Sequence, residues 1–202
     1  MVDFFVQGGG FMWPILIALL FGLAIIGERA YSLINSSSDT DQFFEEVKTI
    51  YSDSGKEQAI EFCENSPGPV ASIFYAGLSK MEKTKEEVKK AVQNAGGLEM
   101  AFLEKNMIWI NSVITIAPML GFTGTVVGMI KAFEDIKMAN DISPAVVAGG
   151  ISQALLTTAF GLIVAMIMQV AQNFFVSMID KLILDMEEQS IKIVEYLHSS
   201  KK

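Results

Sequence analysis

Three threonines and one glutamine are candidate functional residues within two long, largely apolar stretches of this sequence. Gln153 and Thr157 are one helical turn apart, Thr158 follows directly, and Thr125 lies in an earlier stretch. Hydroxyl and amide groups can bind water or an ion, but they cannot accept and release a proton near neutral pH. Because an amide is costly to place at membrane depth, we predict that Gln153, Thr157 and Thr158 face water or a partner. For Thr125 a simple bond to a carbonyl of its own helix is the alternative.

Titratable groups are missing from the two stretches that carry these side chains. Residues 106–130 and 142–179 contain no Asp, Glu, His, Lys or Arg. A transporter that moves protons by protonating its own side chain needs such a group inside the membrane. If ion translocation is the function of this chain, another polypeptide must supply the carboxylate.

Composition argues against several classes of function. The net charge of −8 makes nucleic acid a poor partner. The single cysteine, Cys63, allows neither an internal disulfide nor a cysteine-built metal site, and we interpret it as an inert buried thiol. The single histidine, His198, lies in a polar tail. Since no Ser/His or metal-ligand constellation occurs, we predict no catalytic residue, no metal and no bound cofactor.

Three long runs without charge indicate that the chain spans a membrane. They cover residues 4–27, 106–130 and 142–179, whereas a bilayer core needs about 20 apolar helical residues. The first run is too long for a cleaved signal peptide and lacks its basic start. The predicted fold class is an all-α integral membrane protein with three transmembrane helices and long cytoplasmic helical extensions. The predicted divisions are a short N-terminal segment with transmembrane helix 1 (1–31), a cytoplasmic helical insertion (32–105), transmembrane helix 2 (106–130), a short periplasmic loop (131–142), transmembrane helix 3 (143–177) and a cytoplasmic helical tail (178–202).

The distribution of basic residues predicts the orientation in the membrane. With three spans, residues 32–105 and 177–202 share one side, and that side carries 13 of the 15 Lys and Arg residues once Arg29 is included. Basic residues collect on the cytoplasmic side. We therefore predict a periplasmic N-terminus and a cytoplasmic C-terminus, with Glu28 and Arg29 anchoring the end of the first span at the interface.

Two long helices are predicted from their starts. Thr84 and Glu87 have the spacing of a capping box. Because no proline follows before the second span, we predict one helix from there into the membrane, with Gly96-Gly97 as its weak point. Ser143 before Pro144 predicts a second start. Its helix should run for about 55 residues, roughly 80 Å, and its distal apolar stripe suggests contact with parallel copies of the subunit; that stripe is Ile179, Ile183, Met186, Ile193 and Leu197.

Small residues recur within the second and third apolar runs. In lipid, helices associate through close contacts that small side chains permit. We therefore predict helix packing at these positions, and a kink at Pro118. The packing glycines are Gly121, Gly124 and Gly128 in the second run and Gly150 and Gly161 in the third.

Two segments carry a resemblance to a known family. APMLGFTGTVVGMIKAF (Ala117 to Phe133) and GISQALLTTAFGLIVA (Gly150 to Ala165) resemble the ExbB/TolQ/MotA family of ion-motive-force motor subunits, and the Glu28-Arg29 pair also fits. MotA proteins have an extra span, so ExbB and TolQ are the closer likeness. At Gln153 many ExbB and TolQ sequences have Glu, so a role for that acid cannot be transferred to this chain. At Met166-Ile167 they usually have Ile-Pro, so a proline kink there cannot be transferred either.

The resemblance implies a mechanism and partners. It implies a pentamer around single-span helices of the ExbD/TolR type, each with an essential aspartate, and an indirect link to a TonB- or Tol-Pal-like system. Thr125 and Thr158 match the two functional pore threonines of the family. The transported ion would be H⁺. Na⁺ stays open, because Thr157 adds a neutral oxygen beside Thr158.

Two other functions stay open on the sequence. A structural membrane scaffold would oligomerise through its glycines and transport nothing. A self-sufficient channel would conduct ions without a partner, which the lack of a titratable group argues against.

Overall fold

The fold is described by a computed structural model for residues 2–36, 39–139 and 144–199. Within these ranges every regular element is an α-helix and no strand occurs. The helices are α1 (Val2–Gln7), α2 (Met12–Ser36), α3 (Thr40–Ser54), α4 (Lys56–Asn65), α5 (Pro69–Ser79), α6 (Lys85–Leu103), α7 (Met107–Ala139) and α8 (Pro144–Ser199). The predicted all-α fold class is confirmed.

Three helical stretches are long and apolar enough to cross a membrane. One is α2, one includes α7, and one lies in α8. Each of them overlaps one of the three uncharged runs of the sequence, so the prediction of three membrane-spanning helices is confirmed.

The chain divides into two compact units. Unit 1 comprises Met1–Glu28 and Asn106–Phe174, and it contains the apolar parts of α2, α7 and α8. Unit 2 comprises Arg29–Lys105 and Phe175–Lys202, and it contains α3 to α6 with the distal part of α8.

The core of unit 2 is built around α5. Ile73, Phe74 and Leu78 are fully buried. Gly77 lies on the same helix, where an added Cβ would be 3.2 Å from a methyl of Val92 in α6 and 3.5 Å from a methyl of Leu197 in α8. The absence of a side chain at Gly77 therefore lets α6 and α8 approach α5.

The apolar stripe of α8 packs inside unit 2. Ile179, Met186, Ile193 and Leu197 are each less than 5% exposed. The prediction that this stripe contacts parallel copies of the subunit is therefore wrong for these four residues, because helices of the same chain cover them. Periodicity locates an apolar face but does not say which helix will bury it.

The predicted capping box at the start of α6 is present. The hydroxyl of Thr84 accepts from the backbone N–H of Glu87 at 3.3 Å, and the Glu87 carboxylate accepts from the backbone N–H of Thr84 at 3.1 Å. The bond from the Thr84 backbone N–H, followed by one that the Thr84 hydroxyl donates to the same carboxylate at 2.9 Å, lowers the pKa of Glu87. The pair supplies the hydrogen bonds that the first turn of an α-helix lacks.

A polar cluster joins α3 to α8 within unit 2. Lys192 donates to the Asp41 carboxylate at 2.7 Å, and the amide of Gln189 donates to the same oxygen at 2.8 Å. The hydrogen bond from Lys192, followed by that from Gln189, lowers the pKa of Asp41. An exposed ion pair of this kind contributes little to stability, and the cluster links the first turn of α3 to α8.

The prediction of one helix running from Thr84 into the second span is wrong. α6 ends at Leu103 and α7 begins at Met107. Asn106 has φ +65° between them, in the left-handed region that Asn tolerates better than most residues. The predicted weak point, Gly96-Gly97, lies in the unbroken interior of α6.

Two further boundaries differ from prediction, and one agrees. α7 continues to Ala139, so nine residues assigned to a loop at 131–142 are helical. The helix of the first span, predicted to end at residue 31, continues as α2 to Ser36. The uninterrupted helix from Pro144 to about Leu197 is confirmed, since α8 has 56 residues. Ser143, at the predicted helix start, lies outside the described residues, as do Ser37 and Ser38.

Candidate ion-pathway site

The site lies within unit 1, where α7 and α8 are in backbone contact. A Cβ added to Gly161 would be 2.5 Å from the carbonyl oxygen of Ala117, and one added to Gly121 would be 2.8 Å from that of Thr157. Both distances are shorter than real Cβ contacts. Glycine at these two positions therefore allows the two helices to approach more closely than any side chain would permit.

The other three predicted packing glycines lie along the same contact. An added Cβ on Gly124 would meet the Thr157 side chain, with Oγ1 at 2.7 Å. On Gly150 it would overlap Ala132, whereas on Gly128 it would lie at an ordinary 3.4 Å from Ala154. Pro118 lies in the interior of α7 and directly follows Ala117, whose carbonyl oxygen is at the closest approach.

Thr125 of α7 and Thr158 of α8 meet at this contact. Their hydroxyl oxygens are hydrogen-bonded to each other, and both side chains are half-buried. Thr125 also lies 3.0 Å from the carbonyl of Ala154, and each hydroxyl lies 3.2 Å from the carbonyl of Gly121. Two hydroxyls have two protons for these acceptors. The pair can therefore reverse the direction of its hydrogen bond while a carbonyl accepts the remaining proton.

Thr157 lies on a different side of α8 from Thr158. It is 1% exposed, and its hydroxyl donates toward the carbonyls of Ala154 at 2.8 Å and Gly121 at 3.2 Å. The predicted water- or partner-facing position of Thr157 is wrong within this chain, because the side chain is enclosed between α8 and α7. Its hydrogen bonds contribute to helix contact.

Gln153 is not joined to the threonine pair. Its half-buried side chain lies against Gly9, in the turn between α1 and α2. Among the described residues no hydrogen bond connects its amide to Thr125 or Thr158. The structure thus brings together Thr125 and Thr158 from the four predicted pathway residues and places Thr157 and Gln153 in other contacts.

Glu28 and Arg29 have different surroundings although they are adjacent. Arg29 is 1% exposed and donates to the carbonyls of Phe102 and Leu103, both at 3.4 Å. These carbonyls are at the end of α6, where a helix lacks internal donors. The Arg29 side chain is therefore buried in protein, and its role as an anchor at the membrane interface stays a prediction. Glu28 is exposed and accepts from the Asn106 amide at 3.2 Å.

Sequence reasoning missed two sets of contacts, one in unit 1 and one in unit 2. The Gly8–Phe11 turn was placed in a short N-terminal segment with no contact assigned to it, although Gly9 contacts Gln153 and the Cβ of Phe11 would lie 3.1 Å from a Cβ on Gly124. The carbonyls bound by Arg29 were also missed. Three consecutive glycines were a signal for a tight turn, but no pattern pointed to the carbonyls, which lie more than 70 residues from Arg29.

The site contains no arrangement for holding a metal ion. In the described part of the chain no three His, Cys, Asp or Glu side chains form a cluster suited to a metal. Cys63 is buried in unit 2, and its burial raises the pKa of its thiol to about 12. A thiol with this pKa has almost no thiolate at neutral pH and is a poor ligand and nucleophile.

Comparison with known proteins agrees with the architecture. The MotA/TolQ/ExbB proton channel family matches residues 65–188, more than half of the chain. The biopolymer transport protein ExbB-like 3 of Synechocystis sp. is 28% identical over 92% of this chain and 90% of its own length. Biopolymer transport protein exbB1 of Vibrio cholerae is 26% identical over 79% of this chain and 72% of its own length. The Tol-Pal system protein TolQ of Pseudomonas aeruginosa is 29% identical over 55% of this chain and 54% of its own length. With its three apolar helices, this chain is a membrane protein that belongs to the MotA/TolQ/ExbB proton channel family.

Proposed function

We propose that this chain is a non-enzymatic motor subunit of the inner (cytoplasmic) membrane of bacteria. Together with an ExbD/TolR-like partner it would convert ion motive force into mechanical work on periplasmic or outer-membrane machinery. The names of the relatives, biopolymer transport proteins and a Tol-Pal system protein, support this class of function. A TonB- or Tol-Pal-like system is the proposed recipient of the work.

The observation that carries the proposal is the hydroxyl pair of Thr125 and Thr158. It lies where α7 and α8 touch, in stretches that contain no Asp, Glu, His, Lys or Arg. Hydroxyls can orient water or an ion, but they cannot titrate near neutral pH. The pair therefore needs a carboxylate from outside the chain, and a single-span partner with an aspartate would supply one.

A ring of copies around that partner is the proposed assembly. Large side chains remain exposed on all three membrane-spanning helices, including Ile17 on α2, Phe122 on α7 and Leu155 on α8. Their exposure leaves apolar surface for lipid, for neighbouring copies and for the partner helix. We propose five copies by analogy with the family, with the N-terminus periplasmic and the C-terminus cytoplasmic.

The proposed ion is H⁺. The sequence argument for Na⁺ required the hydroxyls of Thr157 and Thr158 to act together. Thr157 donates to carbonyls in the helix contact and is 1% exposed, which leaves its oxygen little access to a passing cation. A proton needs a carboxylate and a path of water, and the Thr125–Thr158 pair suits that path.

Reconstitution into vesicles tests the need for a partner. Vesicles with the chain alone should show no proton flux above that of empty vesicles, measured with a pH-sensitive dye inside them. Vesicles with the chain and a co-expressed ExbD/TolR-type subunit from the same genome should show flux, because the partner brings the carboxylate. Flux from the chain alone would show a self-sufficient channel, and no flux from either preparation would favour a scaffold.

Exchange of the cation tests the assignment of the ion. Replacing external Na⁺ by K⁺ at constant pH should leave partner-dependent activity unchanged, while collapse of the whole proton motive force by a protonophore should abolish it. Activity is measured in cells as the energised process itself and in vesicles as flux. Loss of activity in K⁺ with the pH gradient intact would contradict the proton assignment.

A further inference from the structure

The Gly8–Phe11 turn, which connects α1 to α2, has an unusual contact with α8. The Gln153 side chain lies against Gly9, on the side where any other residue carries its Cβ. A Cβ at Gly9 would overlap the amide nitrogen of Gln153 and lie 3.0 Å from its carbonyl carbon. Gly9 also has φ +74°, a conformation that disfavours every L side chain. Two independent features of the structure thus require glycine at this position.

The same turn contacts α7 beside the threonine pair. A Cβ on Gly124 would lie 3.1 Å from the Cβ of Phe11 and 2.9 Å from that of Thr157. Met12, the first residue of α2, is 1% exposed, and its side chain fills the space beside Gly8. The turn is therefore packed on both long helices and is more than a flexible leader before the first span.

The short helix before the turn is held in a defined place. The rings of Phe5 in α1 and Trp13 in α2 meet edge to face, with their centroids 5.3 Å apart. Phe4 and Val6 are more than half exposed. Aromatic and apolar side chains next to a membrane-spanning helix favour the lipid–water interface. The position of this apolar surface depends on the turn that follows it.

We propose that Gln153 is a positioning residue that holds the N-terminal turn against α8, next to the Thr125–Thr158 pair. Its amide occupies the space that the missing side chain of Gly9 leaves open, so the two positions act as a matched pair. In this role Gln153 fixes α1 and does not line the ion pathway. The proposal concerns the position of the turn, and it holds whether or not ions pass between the helices.

A double-mutant cycle in the full-length chain tests the contact. Gly9→Ala should lower the Tm of the purified protein by about 3 °C or more, because it adds backbone strain and an overlap with Gln153. Gln153→Ala removes the overlap. The decrease in Tm of the double variant should therefore be smaller than the sum of the decreases in the two single variants. Gly10→Ala is the matched control, since an added Cβ meets nothing within 4 Å and φ is not positive. Additive losses, or equal Tm for Gly9→Ala and Gly10→Ala, would overturn the proposal.

Fluorescence provides a readout that a loss of stability alone would not move. In a Trp109→Phe background, Trp13 is the single tryptophan, because the chain has two. Well below the Tm, Gln153→Ala should change the emission of Trp13 and its quenching by acrylamide, since the Phe5–Trp13 contact depends on the turn. Ser152→Ala, an exposed neighbour on α8, should change neither. Unchanged Trp13 emission in Gln153→Ala would overturn the proposal, and the measurement is independent of ion flux.

Discussion

Thr158→Val should insert and assemble normally but lose partner-dependent activity. Valine has nearly the shape of threonine, so the packing of α8 on α7 is retained. The substitution removes the hydroxyl that bonds to Thr125 and lies 3.2 Å from the Gly121 carbonyl. A hydrogen bond contributes about 1 to 1.5 kcal/mol, which corresponds to roughly a tenfold loss in rate where the bond serves the ion path. The measurement is proton flux in vesicles that contain the chain and its partner, at equal protein content.

Two variants control for side effects of that substitution. Thr158→Ser keeps a hydroxyl at the same place and should retain activity. Thr123→Val makes the same replacement in α7. The Thr123 hydroxyl is exposed and donates to the carbonyl of Met119 in its own helix. That variant should behave like the unmodified protein. Normal flux in Thr158→Val would remove this hydroxyl from the mechanism.

Gly161→Ala should destabilise the membrane-spanning unit strongly. The new Cβ would be 2.5 Å from the Ala117 carbonyl oxygen and 3.3 Å from the Cα of Gly121. These neighbours are backbone atoms, so α7 and α8 must separate to admit the methyl group. We expect a loss of about 3 kcal/mol in the free energy of unfolding, at the upper end for overpacking. Unfolding of the purified protein in detergent, followed by circular dichroism, measures it.

The control for Gly161 is a glycine on the same helix. Gly149 has no atom within 4 Å of an added Cβ. Gly149→Ala should therefore leave stability unchanged or raise it slightly, because alanine favours a helix by up to about 1 kcal/mol relative to glycine. Equal stability of the two variants would contradict the close helix contact at Gly161.

Much of the fold follows from the length of apolar runs. A run of about 20 or more uncharged residues has few alternatives to a membrane-spanning helix, and each of the three runs overlaps a helix that is long and apolar enough to span a membrane. The length of α8 was also predictable, because nothing between Pro144 and Leu197 breaks a helix. These features depend on composition and local sequence, which are visible without a structure.

The break before α7 could not be predicted from local sequence. Asn106 adopts a left-handed conformation, yet most Asn residues do not, so the residue type alone is a weak signal. The end of α6 is stabilised by Arg29, more than 70 residues earlier. A glycine pair such as Gly96-Gly97 is a stronger local signal, but it lies inside an intact helix because α6 packs on α5 in unit 2.

The residues of the site could be predicted from the sequence, but only part of their contacts could, because those contacts join distant segments. Helical periodicity places Gln153, Thr157 and Gly161 on one face of α8. It does not say that this face turns toward α7 and the N-terminal turn, or that Thr158, about 100° further around the helix, meets Thr125. The match to the family pointed to Thr125 and Thr158, whereas the contacts of Gly9 depend on packing between distant segments.

The buried Cys63 makes this protein convenient for labelling. Its thiol is 2% exposed and its pKa is raised to about 12, so maleimides should not modify it in the folded protein. The chain has no other cysteine. A fluorophore, spin label or crosslinker can therefore be attached at any introduced cysteine without first removing the native one, and the unmodified chain serves as its own unlabelled blank.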